Sequence, residues 1–208
     1  MNVADLKVTV FSDYICPFCY VGYHRLMRLR DVYDLKINWR FIEIHPETSP
    51  QGEPVASLEY PSEKWNQLMQ NLKAVAREEG ISIAEHTFTT NSRDALLLAE
   101  AAKESGREKF YGLHDKLFTA FFIDSRNIGD RNILRELASS CGIPDDAVES
   151  AWQDEKYQQR ITSNYRAARQ HEIQAVPSFL FGDRKLTGVV SEEAMRSAAS
   201  ELINQNTA

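Results

Sequence analysis

The sequence has little of what marks several common classes of protein. Its 208 residues include only three cysteines, Cys16, Cys19 and Cys141, too few and too unevenly spaced for the disulfide scaffold of a small secreted protein. It has no run of five like charges, so the basic footprint of a nucleic-acid-binding protein is absent. It also lacks a basic N-terminal region and an apolar stretch long enough to cross a bilayer. These absences predict a soluble cytoplasmic protein without nucleic-acid or membrane partners.

The composition is that of an ordinary globular protein. Hydrophobic residues make up 43% and charged residues 26% of the chain, and 30 acidic against 24 basic residues give a net charge of -6. A folded chain of this size removes roughly 70% of its unfolded surface from water. The core is therefore expected to be stable without disulfides or a structural metal, and the mild acidity serves solubility.

The two ends of the chain show strand patterns that the middle lacks. Alternating, β-branched segments at 6–12 and 36–42 flank a helical segment from Pro17 to about Arg30, which makes one β-α-β unit. Near the C-terminus, a short apolar strand at 178–181, the turn pair Gly182-Asp183 and a strand at 185–189 form a predicted hairpin. Ser191 is predicted to cap a final helix that runs to about Ile203.

Between these ends the spacing is helical. Four prolines interrupt the stretch from Glu43 to Pro61, and the helices that follow are predicted at 62–79, 92–104, 107–122, 131–141 and 145–171. Neither terminal piece could bury an adequate core alone, whereas together they supply four strands and covering helices. The predicted fold is therefore α/β, with one domain formed by residues 1–45 and 172–208 and a helical insertion at 46–171.

The segment Cys16-Pro17-Phe18-Cys19 carries the chemistry. It lies where a predicted strand gives way to a helix, and the unpaired N–H groups and positive dipole of a helix start favour the anionic, nucleophilic sulfur of Cys16. Cys19 follows almost one helical turn later on the same side, within reach to displace a mixed disulfide made by Cys16. Cys16 is thus predicted to attack and Cys19 to resolve.

A zinc half-site and a structural disulfide are the alternatives for this pair. Zinc would need two further ligands of suitable spacing, and the five histidines include no pair three to five residues apart. No metal is therefore expected. His24 lies roughly 7 Å further along the helix than Cys19, which makes it a poor base for either thiol. Cys141 is expected to act as a small buried hydrophobe, and Phe110, Leu113, Leu117, Phe118 and Phe121 form a stripe expected to be insertion core.

The chain resembles the DsbA family in its Cys-Pro-Phe-Cys turn, its helical insertion and Val176-Pro177 before a strand. Segments 13–22, 41–46, 91–93 and 128–130 are similar to the FrnE-like branch. The resemblance implies a thioredoxin fold, βαβ followed by ββα with a four-stranded mixed sheet, in which a cis peptide bond between Val176 and Pro177 packs beside the cysteines. Pro17, Phe18, Val176 and Pro177 are then the candidate substrate-binding residues, because the Val176 backbone could pair with an extended substrate segment. An ordinary trans proline at a strand entry is the alternative.

The chain departs from strongly oxidising members of that family at Phe18, where they have histidine. Phe18 brings no positive charge, so we expect the Cys16 thiolate to be less stabilised and the redox pair to be less oxidising. A reduction potential as high as about -120 mV would contradict this expectation.

Three functions remain open at this point. The leading one is thiol–disulfide exchange on protein or peptide thiols, with the cysteine pair as the redox group, no bound cofactor, and glutathione as a candidate co-substrate. The second is glutathione-dependent chemistry of the hydroxychromene-carboxylate isomerase or kappa transferase type, whose members generally have serine in place of the first cysteine and lack the second. The third is a holdase without redox turnover. A monomer and a homodimer both fit the sequence.

Overall fold

A computed structural model describes residues 4–84 and 87–207, so His86 and the chain termini lie outside the described residues. The strands are β1 (Asp5–Ser12), β2 (Asp34–Phe41), β3 (Glu53–Pro54), β4 (Phe88–Thr89), β5 (Ser178–Phe181) and β6 (Arg184–Thr187). The helices are α1 (Pro17–Met27), α2 (Ser62–Glu79), α3 (Arg93–Ala102), α4 (Arg107–Phe122), α5 (Arg131–Ser139), α6 (Asp145–Gln153), α7 (Glu155–Gln170) and α8 (Glu192–Thr207).

The two ends of the chain meet in one four-stranded sheet of order β2-β1-β5-β6. β1 pairs parallel with β2, with Val10 opposite Trp39, and antiparallel with β5, where Val10 lies opposite Phe179. β6 pairs antiparallel with β5. The mixed sheet, with its β-α-β and β-β-α halves, confirms the predicted fold class.

Alternation along β1 gives each face of the sheet its own packing. Val10 joins the main hydrophobic core, whereas Phe11 packs with Leu180 and with Ala168 of α7 in a second, small cluster. α8 packs against β1 and β5. Helices from both ends and from the middle of the chain therefore cover the sheet. Along β1, one face is buried throughout, and the other becomes buried only toward Phe11.

The main core runs without a break from the sheet into the helical middle of the chain. The predicted stripe belongs to it: Phe110, Leu113, Leu117, Phe118 and Phe121 are all buried. Because side chains of the sheet and of the helices share one cluster, the helices also form part of the sheet's own core. The division at residues 46 and 171 stays a prediction.

The prediction of a single helix from Asp145 to His171 is wrong. The segment from Asp145 to His171 is two helices rather than one, because the chain at Asp154 adopts an extended conformation with φ -81° and ψ 119°. The Asp154 carboxylate accepts a hydrogen bond from the backbone N–H of Lys156 at 2.9 Å, which caps α7. The apolar spacing continues across this cap, so periodicity alone did not reveal it. The two-residue pairing of β3 with β4 was also not predicted.

Several helix and strand ends differ by a few residues. The helix predicted to reach Arg30 ends at Met27 and continues as a 3-10 turn over Arg28–Asp31. The last strand covers Arg184–Thr187 rather than 185–189. Ser191 does cap the final helix, since its hydroxyl accepts a bond from the Ala194 N–H at 3.2 Å.

Candidate active site

The two cysteines lie at the turn from β1 into α1. Cys16 is the N-cap residue of α1, with φ -91° and ψ 113°, and Pro17 occupies the first turn, where a missing N–H removes no helical hydrogen bond. The Cys19 N–H donates to the Cys16 carbonyl at 3.0 Å, which brings the two side chains to the same side. Both cysteines are free thiols, and Cys16 is 6% and Cys19 2% exposed.

The peptide bond between Val176 and Pro177 is cis, as the resemblance implied. The Cys16 Sγ lies 3.6 Å from the Val176 carbonyl oxygen, so the loop before β5 packs directly on the cysteine turn. Gly22 of α1 allows this approach: a Cβ there would lie 3.3 Å from Pro177 Cγ and 2.8 Å from Phe179 Cζ. Of the four candidate substrate-binding residues, Pro177 is buried and Pro17, Phe18 and Val176 are half-buried.

The surroundings of Cys19 keep it protonated. Burial raises the pKa of Cys19 well above its usual value, and the hydrogen bond to Cys16 adds to that effect. The neighbouring Asp13 backbone and Ser12 side chain lower the pKa of Cys19, but by less than burial raises it. Cys19 is therefore a thiol at neutral pH.

A buried carboxyl group, that of Asp13, lies behind the cysteine turn. Asp13 has no exposed surface, and its carboxyl accepts bonds from the Ile44 N–H at 2.8 Å, the Ser92 hydroxyl at 3.0 Å and the Ile15 N–H at 3.3 Å. Burial raises the pKa of Asp13 to about 7, although these three donors oppose the shift. Asp13 thus joins the cysteine turn to the segment after β2 and to the start of α3.

Sequence reasoning did not assign a role to Asp13. A signal was present, because Asp13, Ile44 and Ser92 lie in three of the segments that resemble the FrnE-like branch. The structure brings those three segments together at one carboxyl group, and the Asp13 carbonyl also accepts the Cys16 N–H at 3.3 Å.

An aromatic pair before and within α2 was also missed. Tyr60 is 46% exposed, stacks on Trp65 with ring centroids 5.7 Å apart, and its hydroxyl lies 3.4 Å from His45 Nε2. Burial raises the pKa of Tyr60, and the nearby charge of Cys16 raises it further.

The remaining candidates lie elsewhere. Cys141 is half-buried against α4, where a Cβ on Gly112 would lie 3.6 Å from its sulfur. His24 packs on the rings of Tyr20 and Tyr23, and burial lowers its pKa. Within residues 4–84 and 87–207, no helix has the length and apolar character needed to cross a bilayer.

Comparisons with known proteins agree with this geometry. YwbO of Bacillus subtilis (strain 168) is 30% identical over 205 residues, covering 94% of this chain and 96% of that protein. A probable DsbA oxidoreductase from Streptomyces coelicolor is 25% identical with a TM-score of 0.84, over 96% of this chain and 91% of that one.

More distant solved structures share the fold. A 2-hydroxychromene-2-carboxylate isomerase is 20% identical, with a TM-score of 0.77 over 97% of this chain and 98% of that one. The cytosolic disulfide reductase DsbM from Pseudomonas aeruginosa, solved with GSH, is 16% identical, with a TM-score of 0.69 over 98% and 100% of the two chains. The model of the DSBA-like thioredoxin domain matches residues 7–200, and the chain therefore belongs to the DsbA-like thioredoxin family.

Proposed function

We propose that the protein is a thiol–disulfide oxidoreductase in which Cys16 is the attacking thiol and Cys19 the resolving thiol. The observation that carries the proposal is the pairing of two free cysteines at a helix start, with the Val176 carbonyl 3.6 Å from the Cys16 sulfur. Cys16 is the N-cap residue of α1, and a helix N-terminus is a typical place for a nucleophilic cysteine.

In the reducing direction, the Cys16 thiolate attacks a substrate disulfide, one S–S bond is exchanged for another, and a substrate thiolate leaves and takes a proton. Cys19 then loses its proton and attacks the Cys16 sulfur. This step forms the Cys16–Cys19 disulfide and releases the second substrate thiol, so two electrons pass from the cysteine pair to the substrate. Oxidation of a substrate dithiol is the same sequence reversed.

The substrate class follows from the groups around Cys16. The backbone of Val176 lies against the sulfur and can align an extended peptide, and the half-buried Phe18 between the two cysteines offers apolar surface. Protein or peptide thiols and disulfides are the proposed partners, with glutathione as the thiol that returns the pair to its reduced form. A cytoplasmic location suits that direction, and the neighbour DsbM, named as cytosolic, was solved with GSH.

Reduction of insulin and refolding of scrambled ribonuclease test this proposal. Cys16→Ser is expected to abolish both activities, because the nucleophile is removed. Cys19→Ser should accumulate a mixed disulfide with substrate at Cys16, which mass spectrometry would detect. Cys141→Ser is the matched control and should keep full activity. Full activity of Cys16→Ser would overturn the assignment.

Glutathione-dependent isomerase or transferase chemistry is the second candidate, favoured by the shared fold of the hydroxychromene-carboxylate isomerase. The presence of both Cys16 and Cys19 argues against it. Turnover of a small electrophile with glutathione by Cys19→Ser, at the rate of the unchanged protein, would favour this candidate over disulfide exchange.

A further inference from the structure

The outer edge of β2 borders a groove that lies apart from the cysteine turn. β2 is an outer strand of the sheet, and the groove lies between it and the start of α4, with a volume of about 380 Å³. This volume falls within the roughly 300–1,000 Å³ typical of small-molecule sites. Its lining includes Trp39, Lys103, Arg107 and Tyr111. A smaller cavity of about 210 Å³, lined in part by Arg40 and Arg160, continues from it around Trp39 and Lys103.

The edge of β2 is closed to a further strand. The Trp39 carbonyl accepts a hydrogen bond from Lys103 Nζ at 2.8 Å, and the Leu35 carbonyl accepts one from Arg107 Nη2 at 3.3 Å. Two carbonyls that an added strand would need are therefore occupied by cationic side chains, a common protection of sheet edges. This arrangement argues against an extended peptide as the ligand of the groove.

The groove carries positive charge in a chain whose net charge is -6. Among its described lining residues, Glu100 is the one carboxylate, and it is bonded to Lys103 at 2.8 Å. Arg160 pairs with Glu104. Arg40 bonds the Asn164 amide oxygen at 3.2 Å, and no ion pair to a carboxylate is found for Arg40 or Arg107 in the described part of the chain.

Several buried hydrogen-bond donors in and next to the two cavities have no acceptor in the described structure. Arg30, whose guanidinium carbon lies 4.4 Å from the centre of the Tyr111 ring, has Nε and Nη2 shielded from water without a hydrogen-bond partner in the described structure. The same holds for Nε of Arg40 and for Nε1 of Trp39, a residue only 3% exposed. All four atoms are donors, and buried donors in native proteins normally have an acceptor.

We propose that this groove binds a small molecule through an oxyanion, either a phosphate or a carboxylate group. Arg107 and Lys103 line the groove, and Arg107 has no carboxylate partner in the described part of the chain, since its side chain bonds the Leu35 carbonyl. An oxyanion supplies that partner, because arginine pairs with phosphate and carboxylate groups through two parallel hydrogen bonds. The ring of Tyr111, already packed beneath Arg30 and 5.9 Å from the Arg107 guanidinium carbon, offers a flat surface for the rest of the ligand. None of the lining residues belongs to the cysteine turn, so the site is separate from the proposed redox function.

Proton–nitrogen correlation NMR spectra of the full chain test the proposal. Inorganic pyrophosphate and succinate are the two probes, added at constant ionic strength. The reporter is the Trp39 indole N–H, assigned with a Trp39→Phe variant. We expect a saturable shift of that signal with at least one probe, and the stronger binder identifies the oxyanion. Absence of saturation with both probes would overturn the proposal.

Two variants that each remove one arginine charge distinguish binding at a specific site from general electrostatic attraction. Arg107→Gln removes an exposed guanidinium of the groove and should weaken binding about tenfold, the loss expected for one charge-assisted pair. Arg126→Gln removes an arginine that pairs with Glu136 and is not among the groove lining; it should leave the affinity unchanged. Equal weakening by both variants would refute a specific site. Cys16→Ser should bind as the unchanged protein does, whatever the outcome of the redox assays.

Discussion

The carboxyl group of Asp13 should make the stability of the reduced protein depend on pH in a defined window. In the folded chain the pKa of Asp13 is about 7, against an ordinary value of 3.8. Between these two values the folded state holds a proton that the unfolded state has lost. The unfolding free energy therefore falls as pH rises from about 4 and levels off above about 7. At roughly 1.4 kcal/mol per pH unit, the contribution lost across the window is roughly 4 kcal/mol.

Asp13→Asn removes this titration. The difference in unfolding free energy between the unchanged protein and the variant should shift by roughly 4 kcal/mol from pH 4 to pH 8, with the unchanged protein favoured more strongly at the acid end. Denaturant unfolding of both reduced proteins at closely spaced pH values measures this difference in unfolding free energy. Ser92→Ala is the companion variant: loss of a donor to the carboxylate should raise the Asp13 pKa further and extend the window upward. Parallel stability curves for Asp13→Asn and the unchanged protein would refute the reasoning.

Three further variants examine the site and the insertion. Phe18→His should raise the reduction potential toward about -120 mV, because a cation beside Cys16 stabilises the reduced form. Equilibration with glutathione measures the potential. An unchanged potential would contradict the role given to position 18. Gly22→Ala should destabilise the fold by about 1–3 kcal/mol, because its Cβ would lie 2.8 Å from Phe179 Cζ. A denaturation midpoint equal to that of the unchanged protein would show that α1 and β5 separate easily. Asp154→Ala should cost about 1 kcal/mol through loss of the α7 cap, measured as a lower Tm, and an unchanged Tm would mean that the cap adds nothing.

The strands and the cysteine pair were predictable because their signals are local. β5 was predicted at its observed bounds, since Ser178 and three apolar residues lie between a proline and a turn pair. The Cys16 and Cys19 pairing follows from the three-residue spacing at a helix start. The predicted cis bond before Pro177, by contrast, depended on the family resemblance, because proline occurs in either isomer and sequence does not state which.

What sequence reasoning missed depends on contacts between distant segments. The Asp13 carboxyl meets Ile44 and Ser92 only because β1, the end of β2 and the start of α3 converge. Tyr60 meets His45 and Trp65 from a stretch with no regular period in the sequence. Such positions are set by the packing of the whole chain, and no window of neighbouring residues contains them.

The position of β1 between β2 and β5 has a consequence for synthesis on the ribosome. Its parallel neighbour follows within some thirty residues, but its antiparallel neighbour begins only at Ser178. A nascent chain that has emerged as far as α7 would expose one side of β1 and hold its thiols without the opposing carbonyl of Val176. The complete cysteine site can form only once nearly the whole polypeptide has emerged, so a protein truncated before β5 should contain both cysteines and yet lack the loop of Val176 that packs on them.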